Sequence, residues 1–140
     1  MTMQLTAVQA DGILVATPSG STAYSLSAGG SICTTTVPAL LFTPICPHSL
    51  SFRPVLFPDS STIKLCVPED ARASAFAHFD GKDSIKLDKG DYVVVRMSEW
   101  PMPLINKTST TKDWIHAITQ KLNWNVREAR QKALDSSVDG

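Results

Sequence analysis

The residues best suited to chemistry lie in a neutral, hydroxyl-rich segment near the start of the chain. Residues 11–30 read Asp-Gly-Ile-Leu-Val-Ala-Thr-Pro-Ser-Gly-Ser-Thr-Ala-Tyr-Ser-Leu-Ser-Ala-Gly-Gly. Their hydroxyls and backbone N–H groups could bind a ligand, and a helix beginning near Thr22 would favour anionic groups. No Gly-Lys-Ser/Thr run completes a P-loop, and no Gly-x-Gly-x-x-Gly spacing forms a dinucleotide fingerprint. On composition alone, a turn with a capped helix explains the segment as well as a binding site does.

Other chemistry is open but weakly indicated. Asp11 is the one charged residue among the first 50, and it could accept hydrogen bonds from a ribose or simply form a turn with Gly12. A serine hydrolase lacks its usual Gly-x-Ser-x-Gly elbow here, although a triad could still assemble in space from scattered histidines. On its own, Asp80-Gly81-Lys82 is best explained as a hairpin turn.

The elements that must position these residues are mostly short strands. Turn residues bound each apolar run, which is typical of an all-β sandwich or prism. Residues 21–30 predict a short helix of about two turns with a Ser or Thr cap, ending at Gly29-Gly30. Residues 31–47 predict a loop with extended pieces, and Pro54 indicates an edge strand or a bulge. The predicted strands cover residues 13–16, 50–57, 62–67, 75–79, 84–87 and 92–97.

The C-terminal part is predicted to be helical. Trp114, Ile115, Ile118 and Leu122 share one helix face after a cap at Thr110-Thr111. A second helix is predicted over residues 126–134, and residues 136–140 should fray. This divides the chain into a β-rich domain, 1–110, and a helical tail, 111–140. So few strands leave an edge unpaired, which suggests a piece of a larger domain.

Composition narrows the class of protein. Hydrophobic residues make up 43% of the 140, charged residues 19%, and the net charge is zero, so the sequence predicts a globular chain with no nucleic-acid surface. No signal peptide and no apolar run long enough to span a membrane is seen. The odd set Cys33, Cys46 and Cys66 predicts reduced core thiols rather than disulfides or a zinc site.

Several motifs together resemble the NAD kinase family. Residues 11–30 resemble its long signature, and the similarity continues through Thr-Pro-Ile-Cys-Pro-His-Ser-Leu-Ser-Phe-Arg-Pro at 43–54. Phe-Asp-Gly-Lys at 79–82, Lys-Gly-Asp at 89–91 and Leu-Asn-Trp-Asn-Val-Arg-Glu at 122–128 extend it. The last run is similar to the fungal NAD and NADH kinases. The resemblance covers about residues 6–132.

The resemblance implies both a fold and an activity. Members transfer the γ-phosphoryl group of ATP, with Mg²⁺, to the 2′-hydroxyl of the adenosine ribose of NAD, which makes NADP. An N-terminal α/β domain carries a Gly-Gly-Asp-Gly catalytic aspartate, and a β-sandwich C-terminal domain supplies much of the NAD site and of the oligomer interface. Asp11 would contact the nicotinamide end, and Lys82 would lie near the same site. The implied NAD-binding residues are Asp11, Thr22, Ala23, Tyr24, Ser25, Leu26, Ser27 and Lys82.

The departures from the family pattern concern catalysis. The chain contains no Gly-Gly-Asp-Gly, and no Asn-Glu or Asn-Asp pair precedes Asp11. Gln9 stands where many bacterial members have Arg. The chain is therefore expected to be a C-terminal part of an NAD kinase, an incomplete β-sandwich with no catalytic and no metal-binding residue of its own. It would bind the dinucleotide and form a homo-oligomer or associate with kinase subunits.

Two alternatives stay open at this stage. One is a non-catalytic NAD-binding or interaction module that pairs with full-length kinase subunits. The other is a fragment of a lipid kinase, since those kinases share the architecture, although the length of the signature match argues against it. A cytoplasmic location is expected, and a mitochondrial one is left open.

Overall fold

A computed structural model of the chain describes residues 3–125, and strands dominate it. Each element is short, as expected where turn residues recur every few positions. A 3-10 helix covers Pro18–Thr22. The prediction of a mainly β fold is confirmed. The other elements are β1 (Gly12–Ala16), α1 (Tyr24–Ser27), β2 (Ala39–Ile45), β3 (Val55–Pro58), β4 (Thr62–Cys66), β5 (Ala75–Phe79), β6 (Asp83–Leu87), β7 (Tyr92–Arg96) and α2 (Thr110–Lys121).

The first sheet is antiparallel, with β2 between β1 and β3. The six residues from Ala39 to Pro44 are all buried, so β2 is the centre of the core. This corrects the prediction of a loop with extended pieces over residues 31–47, since one continuous central strand lies within that range. A strand covered on both faces shows no alternation of apolar and polar residues. Pro44 also argued against a strand, because proline is rare in central strands. Pro44 is tolerated because β3 pairs with β2 only as far as Phe42, so Pro44 lies where β1 is the sole paired strand.

The third strand is shorter than its prediction. Val55–Pro58 replaces the predicted 50–57, and Pro54 immediately precedes the strand. The edge position that Pro54 indicated is confirmed, because β3 pairs only with β2 among the described strands. A proline next to an edge strand removes no hydrogen bond that a neighbouring strand would need.

The remaining strands form two nested antiparallel pairs. The β4–β7 pair encloses, in sequence, the β5–β6 hairpin. Asp80 and Gly81 both have positive φ, at 49° and 71°, as a type I′ hairpin turn requires. The Lys82 N–H donates to the Phe79 carbonyl across this turn at 3.0 Å. The predicted hairpin is confirmed. In the predicted strand at 62–67, Ile63, Leu65 and Val67 are more buried than the residues between them.

The cap of helix α2 lies one residue before the predicted cap. The Ser109 side chain, rather than Thr110 or Thr111, accepts the Lys112 N–H and caps the helix. The Asp113 carboxylate accepts the backbone N–H groups of Thr108, at 3.0 Å, and of Lys107, at 2.6 Å. The hydrogen bond from the Thr108 N–H is the main cause that lowers the pKa of Asp113, and the one from the Lys107 N–H lowers it further. Desolvation opposes this shift by raising the pKa. The start of the helix is therefore capped by two local side chains, those of Ser109 and Asp113.

The predicted helix face is only partly buried. Ile118 is buried, whereas Ile115 and Leu122 are exposed. The chain divides into two compact units, Met1–Ile105 and Asn106–Gly140. The predicted boundary between residues 110 and 111 stays a prediction. The second helix predicted over 126–134, the frayed residues 136–140 and the end of the 122–128 motif lie outside the described residues.

Candidate functional site

The hydroxyl-rich segment folds as two single turns rather than one helix. Pro18 occupies the first turn of the 3-10 helix, where a missing N–H costs nothing. Ala23, with φ −97° and ψ −133°, interrupts the helical path before α1 begins. Neither turn has a side-chain cap. The predicted two-turn helix with a Ser or Thr cap is therefore wrong, because Thr22 ends the 3-10 helix instead of starting an α-helix.

The shortness of α1 also limits its attraction for anions. A helix of four residues aligns few peptide dipoles, so it offers little of the positive potential that a longer helix has at its N-terminus. The expected preference for anionic groups at Thr22 loses its structural basis. Any ligand at this segment would be recognised by side chains and individual N–H groups.

Two serines of the segment are buried and attach it to the core. Ser21 is fully buried, and its Oγ accepts the Cys33 N–H at 3.0 Å and donates to the Cys33 carbonyl at 3.2 Å. Ser25 is 2% exposed, and its Oγ lies 2.9 Å from Thr43 Oγ1, itself on a 1% exposed residue of β2. Buried hydroxyls are stable only when hydrogen-bonded, so both serines fix the segment to the core.

Gly30 allows the chain to pack closely against Ser25 and Thr43. Its N–H donates to the Ser25 carbonyl at 2.7 Å. A Cβ built on Gly30 would lie 2.4 Å from Ser25 Oγ and 2.9 Å from Thr43 Oγ1. The close approach of the chain to the Ser25–Thr43 pair therefore requires glycine at this position.

The rest of the segment faces outward. Tyr24 is 58% exposed on the first residue of α1, and Ala23 and Ser27 are also exposed. Thr22 and Leu26 are partly exposed. Of the six consecutive residues that the resemblance assigns to the NAD site, Ser25 alone is directed into the core. The ligand-binding roles of all six stay predictions.

The two remaining predicted site residues lie on other elements. Asp11 is exposed just before β1, where its N–H donates to the Ile45 carbonyl at 3.0 Å. Lys82 is exposed in the β5–β6 turn. Within residues 3–125, neither side chain makes a hydrogen bond or an ion pair. Both are free to contact a ligand from the surface, and their roles also stay predictions.

Sequence reasoning missed the importance of Thr43. Thr43 is the one hydroxyl in the apolar run Ala-Leu-Leu-Phe-Thr-Pro-Ile of β2. A lone polar side chain in a buried strand needs a hydrogen-bond partner. Knowing that β2 is a buried strand would therefore have been enough to single out Thr43. Its partner, Ser25, is 18 residues away and could be found only from the fold.

The other chemistries weighed from the sequence find no support in the described part of the chain. Ser21 and Ser25 are both bonded to core groups rather than to a histidine, so no nucleophile–base pair is formed. Cys33 is buried as predicted, but Cys46 and Cys66 are exposed, which corrects their assignment to the core. All three are free thiols. Cys66 alternates outward on β4, and Cys46 follows the buried part of β2.

Membrane-spanning helices and metal clusters are both absent from residues 3–125. No helix there is long and apolar enough to cross a membrane. No group of three or more His, Cys, Asp or Glu side chains there could hold a metal ion.

Comparison with known proteins agrees with this architecture. Residues 2–107 match the family described as the ATP-NAD kinase C-terminal domain. NAD kinase 2, chloroplastic, of Arabidopsis thaliana is 55% identical over 130 residues, covering 93% of this chain and 13% of that protein. The NAD(+) kinase of Saccharomyces cerevisiae is 50% identical over 127 residues, covering 91% of this chain and 24% of that protein.

A solved structure extends the agreement to three dimensions. The crystal structure of yeast NADH kinase complexed with NADH superimposes with a TM-score of 0.76 at 41% identity. The match covers 91% of this chain and 39% of that one. The chain thus spans well under half of the length of each of these relatives.

Proposed function

The chain belongs to the ATP-NAD kinase family through its C-terminal domain, and from this we propose that it supplies the NAD-binding surface of an NAD kinase. The complete enzyme would transfer the γ-phosphoryl group of ATP to the 2′-hydroxyl of the adenosine ribose of NAD, giving NADP and ADP. The yeast relative bound NADH in its crystal, which supports a dinucleotide as the ligand of this surface. A cytoplasmic location stays a prediction.

The observation that carries the proposal is the division of the signature segment into two faces. Ser21 and Ser25 anchor it to the core, whereas Ala23, Tyr24 and Ser27 are presented outward. An exposed aromatic ring on a turn that buried serines hold in place is suited to stacking on a planar ligand such as adenine.

Catalysis is assigned outside these 140 residues. Phosphoryl transfer depends on positioning, on neutralised charge and on an oriented nucleophile. The sequence contains no Gly-Gly-Asp-Gly aspartate that could act as the base. The proposal therefore gives this chain a binding role, with no step of phosphoryl transfer on its own side chains.

The first test is calorimetric titration of NAD into the purified chain. Tyr24→Ala is expected to weaken binding about 10-fold or more, because stacking on an aromatic ring would be lost. Tyr92→Ala is the matched control, since Tyr92 is 55% exposed and lies on β7. The pure chain is expected to form no NADP from NAD and MgATP. Equal losses in both tyrosine variants, or measurable NADP formation, would contradict the proposal.

A second candidate function is association with kinase subunits, and a separate observation favours it. Residues 100–105, Trp-Pro-Met-Pro-Leu-Ile, expose four large apolar side chains: Trp100 at 84%, Met102 at 84%, Leu104 at 70% and Ile105 at 104%. Contiguous apolar surface of this kind is typical of interaction sites. Pro101 and Pro103 have no N–H to donate, which favours docking of this segment through its side chains over strand pairing.

Sedimentation velocity would test this second candidate. The chain mixed with a full-length NAD kinase is expected to co-sediment, and a Met102→Ser, Leu104→Ser variant is expected to lose that association because it loses apolar contact area. A Leu50→Ser variant is the control, since Leu50 is 87% exposed in a different loop. Unchanged association by the double variant would remove residues 100–105 from the interface.

A further inference from the structure

A buried pair of hydroxyl groups joins the signature segment to the centre of the core. Ser25 Oγ on α1 lies 2.9 Å from Thr43 Oγ1 on β2, with the two residues 2% and 1% exposed. Ser25 is the residue next to Tyr24, so the side chains of one turn point in opposite directions. We infer that Thr43 is a positioning residue for the NAD-binding turn, an inference that rests on the proposed function.

The turn needs an external anchor because it has little stability of its own. Helix α1 has four residues and no side-chain cap, and a single helical turn is unfavourable in isolation. Its partner, β2, is the most buried strand of the described chain and pairs on both sides. A hydrogen bond between the two therefore transfers the fixed position of β2 to the turn.

The pair also fixes more than one atom of the turn. The Gly30 N–H donates to the Ser25 carbonyl, and the missing Cβ of Gly30 leaves room for both hydroxyls. The backbone and the side chain of Ser25 are thus both held. Rotation of the turn, which would move the Tyr24 ring, is opposed by both bonds together.

A hydroxyl pair is a more specific anchor than apolar packing. Valine has almost the shape of threonine and would fill the same space, but it offers no directional bond. Leaving Ser25 Oγ without a partner destabilises the fold, whereas replacing both partners by apolar groups can be nearly neutral in stability. This difference separates an orienting role from a merely structural one.

The experiment compares four variants of the 140-residue chain. Thr43→Val removes one hydroxyl, Ser25→Ala with Thr43→Val removes both, and Thr43→Ser keeps the hydroxyl. Thr62→Val is the control, since Thr62 is exposed on β4. Three quantities are measured for each: the melting temperature, the NAD dissociation constant by calorimetry, and amide hydrogen exchange at Leu26, Ala28 and Gly29.

A positioning role predicts a split between stability and binding. Thr43→Val is expected to lower the melting temperature and to weaken NAD binding about 3- to 10-fold, the value of one hydrogen bond. The double variant is expected to regain most of the melting temperature but neither the affinity nor the protection of the turn amides. Thr43→Ser should stay within about 2-fold of the wild-type affinity, and Thr62→Val should change nothing.

The outcomes also separate this inference from the proposed function. A double variant with wild-type affinity and wild-type amide protection would overturn the positioning role, because the pair would then serve only to fill space. A wild-type chain that binds no NAD would count against the proposed function of the chain alone. In that case the exchange rates of the turn amides still decide whether the Ser25–Thr43 pair orients the turn.

Discussion

Replacing Phe42 with alanine is expected to lower the free energy of unfolding by about 3–5 kcal/mol. Phe42 is 3% exposed on β2, and its ring lies 6.1 Å from that of Phe52 and 6.2 Å from that of Phe57. The 85° angle with Phe57 is an edge-to-face arrangement, which adds to the burial of apolar area. Truncation would leave a cavity in the centre of the first sheet that its neighbours could not fill.

Urea denaturation followed by circular dichroism measures this loss. Phe76→Ala is the matched control, because Phe76 has the same chemistry but is 62% exposed on β5. Its cost should stay below about 1 kcal/mol. Similar losses in the two variants would show that β2 is not the centre of the core.

Gly30→Ala is expected to have the second largest effect, a loss of about 3 kcal/mol, at the upper end of overpacking costs. The new Cβ would lie 2.4 Å from Ser25 Oγ and 2.7 Å from the Ser25 carbonyl oxygen. These distances are too short for any contact, and the carbonyl belongs to the backbone, which cannot move without breaking its 2.7 Å bond from the Gly30 N–H. Binding of NAD should weaken with it, because the turn that carries Tyr24 would be displaced.

Gly20→Ala is the control within the same segment. A Cβ there would meet Ala16 Cβ at 3.5 Å and Thr17 Oγ1 at 3.7 Å, which are ordinary contacts. Its melting temperature should therefore stay close to that of the wild-type chain. If the two alanine variants melt at the same temperature, the close approach at Gly30 has no energetic weight.

Strand β4 and the β5–β6 turn could be predicted from local sequence patterns. Ile63 and Leu65 alternate with exposed residues on β4, and Asp80-Gly81 identifies the β5–β6 turn because both residues adopt positive φ. The central strand β2 could not be predicted, since burial of both faces removes the alternation on which such a reading depends. The fold class was therefore accessible from the sequence, but the location of the core was not.

The candidate site was predictable as a segment but not as a surface. Composition and the family resemblance both select residues 11–30, yet neither distinguishes the residues that face solvent from those that face the core. Ser25 and Tyr24 are adjacent and were assigned the same role, but one is 2% exposed and the other 58%. The path of the turn decides this, and it depends on Thr43 and Gly30, which are distant in sequence from Tyr24.

The nesting of the β5–β6 hairpin between β4 and β7 has a consequence for the order of folding. Three residues join β5 to β6, so this hairpin can form in about 1–10 μs. Pairing of β4 with β7 must close the whole intervening segment, and the entropy lost on closure grows with the logarithm of loop length. A hairpin already formed inside that loop shortens it, so we expect β5–β6 to form first and to bring Cys66 and Tyr92 within reach of each other.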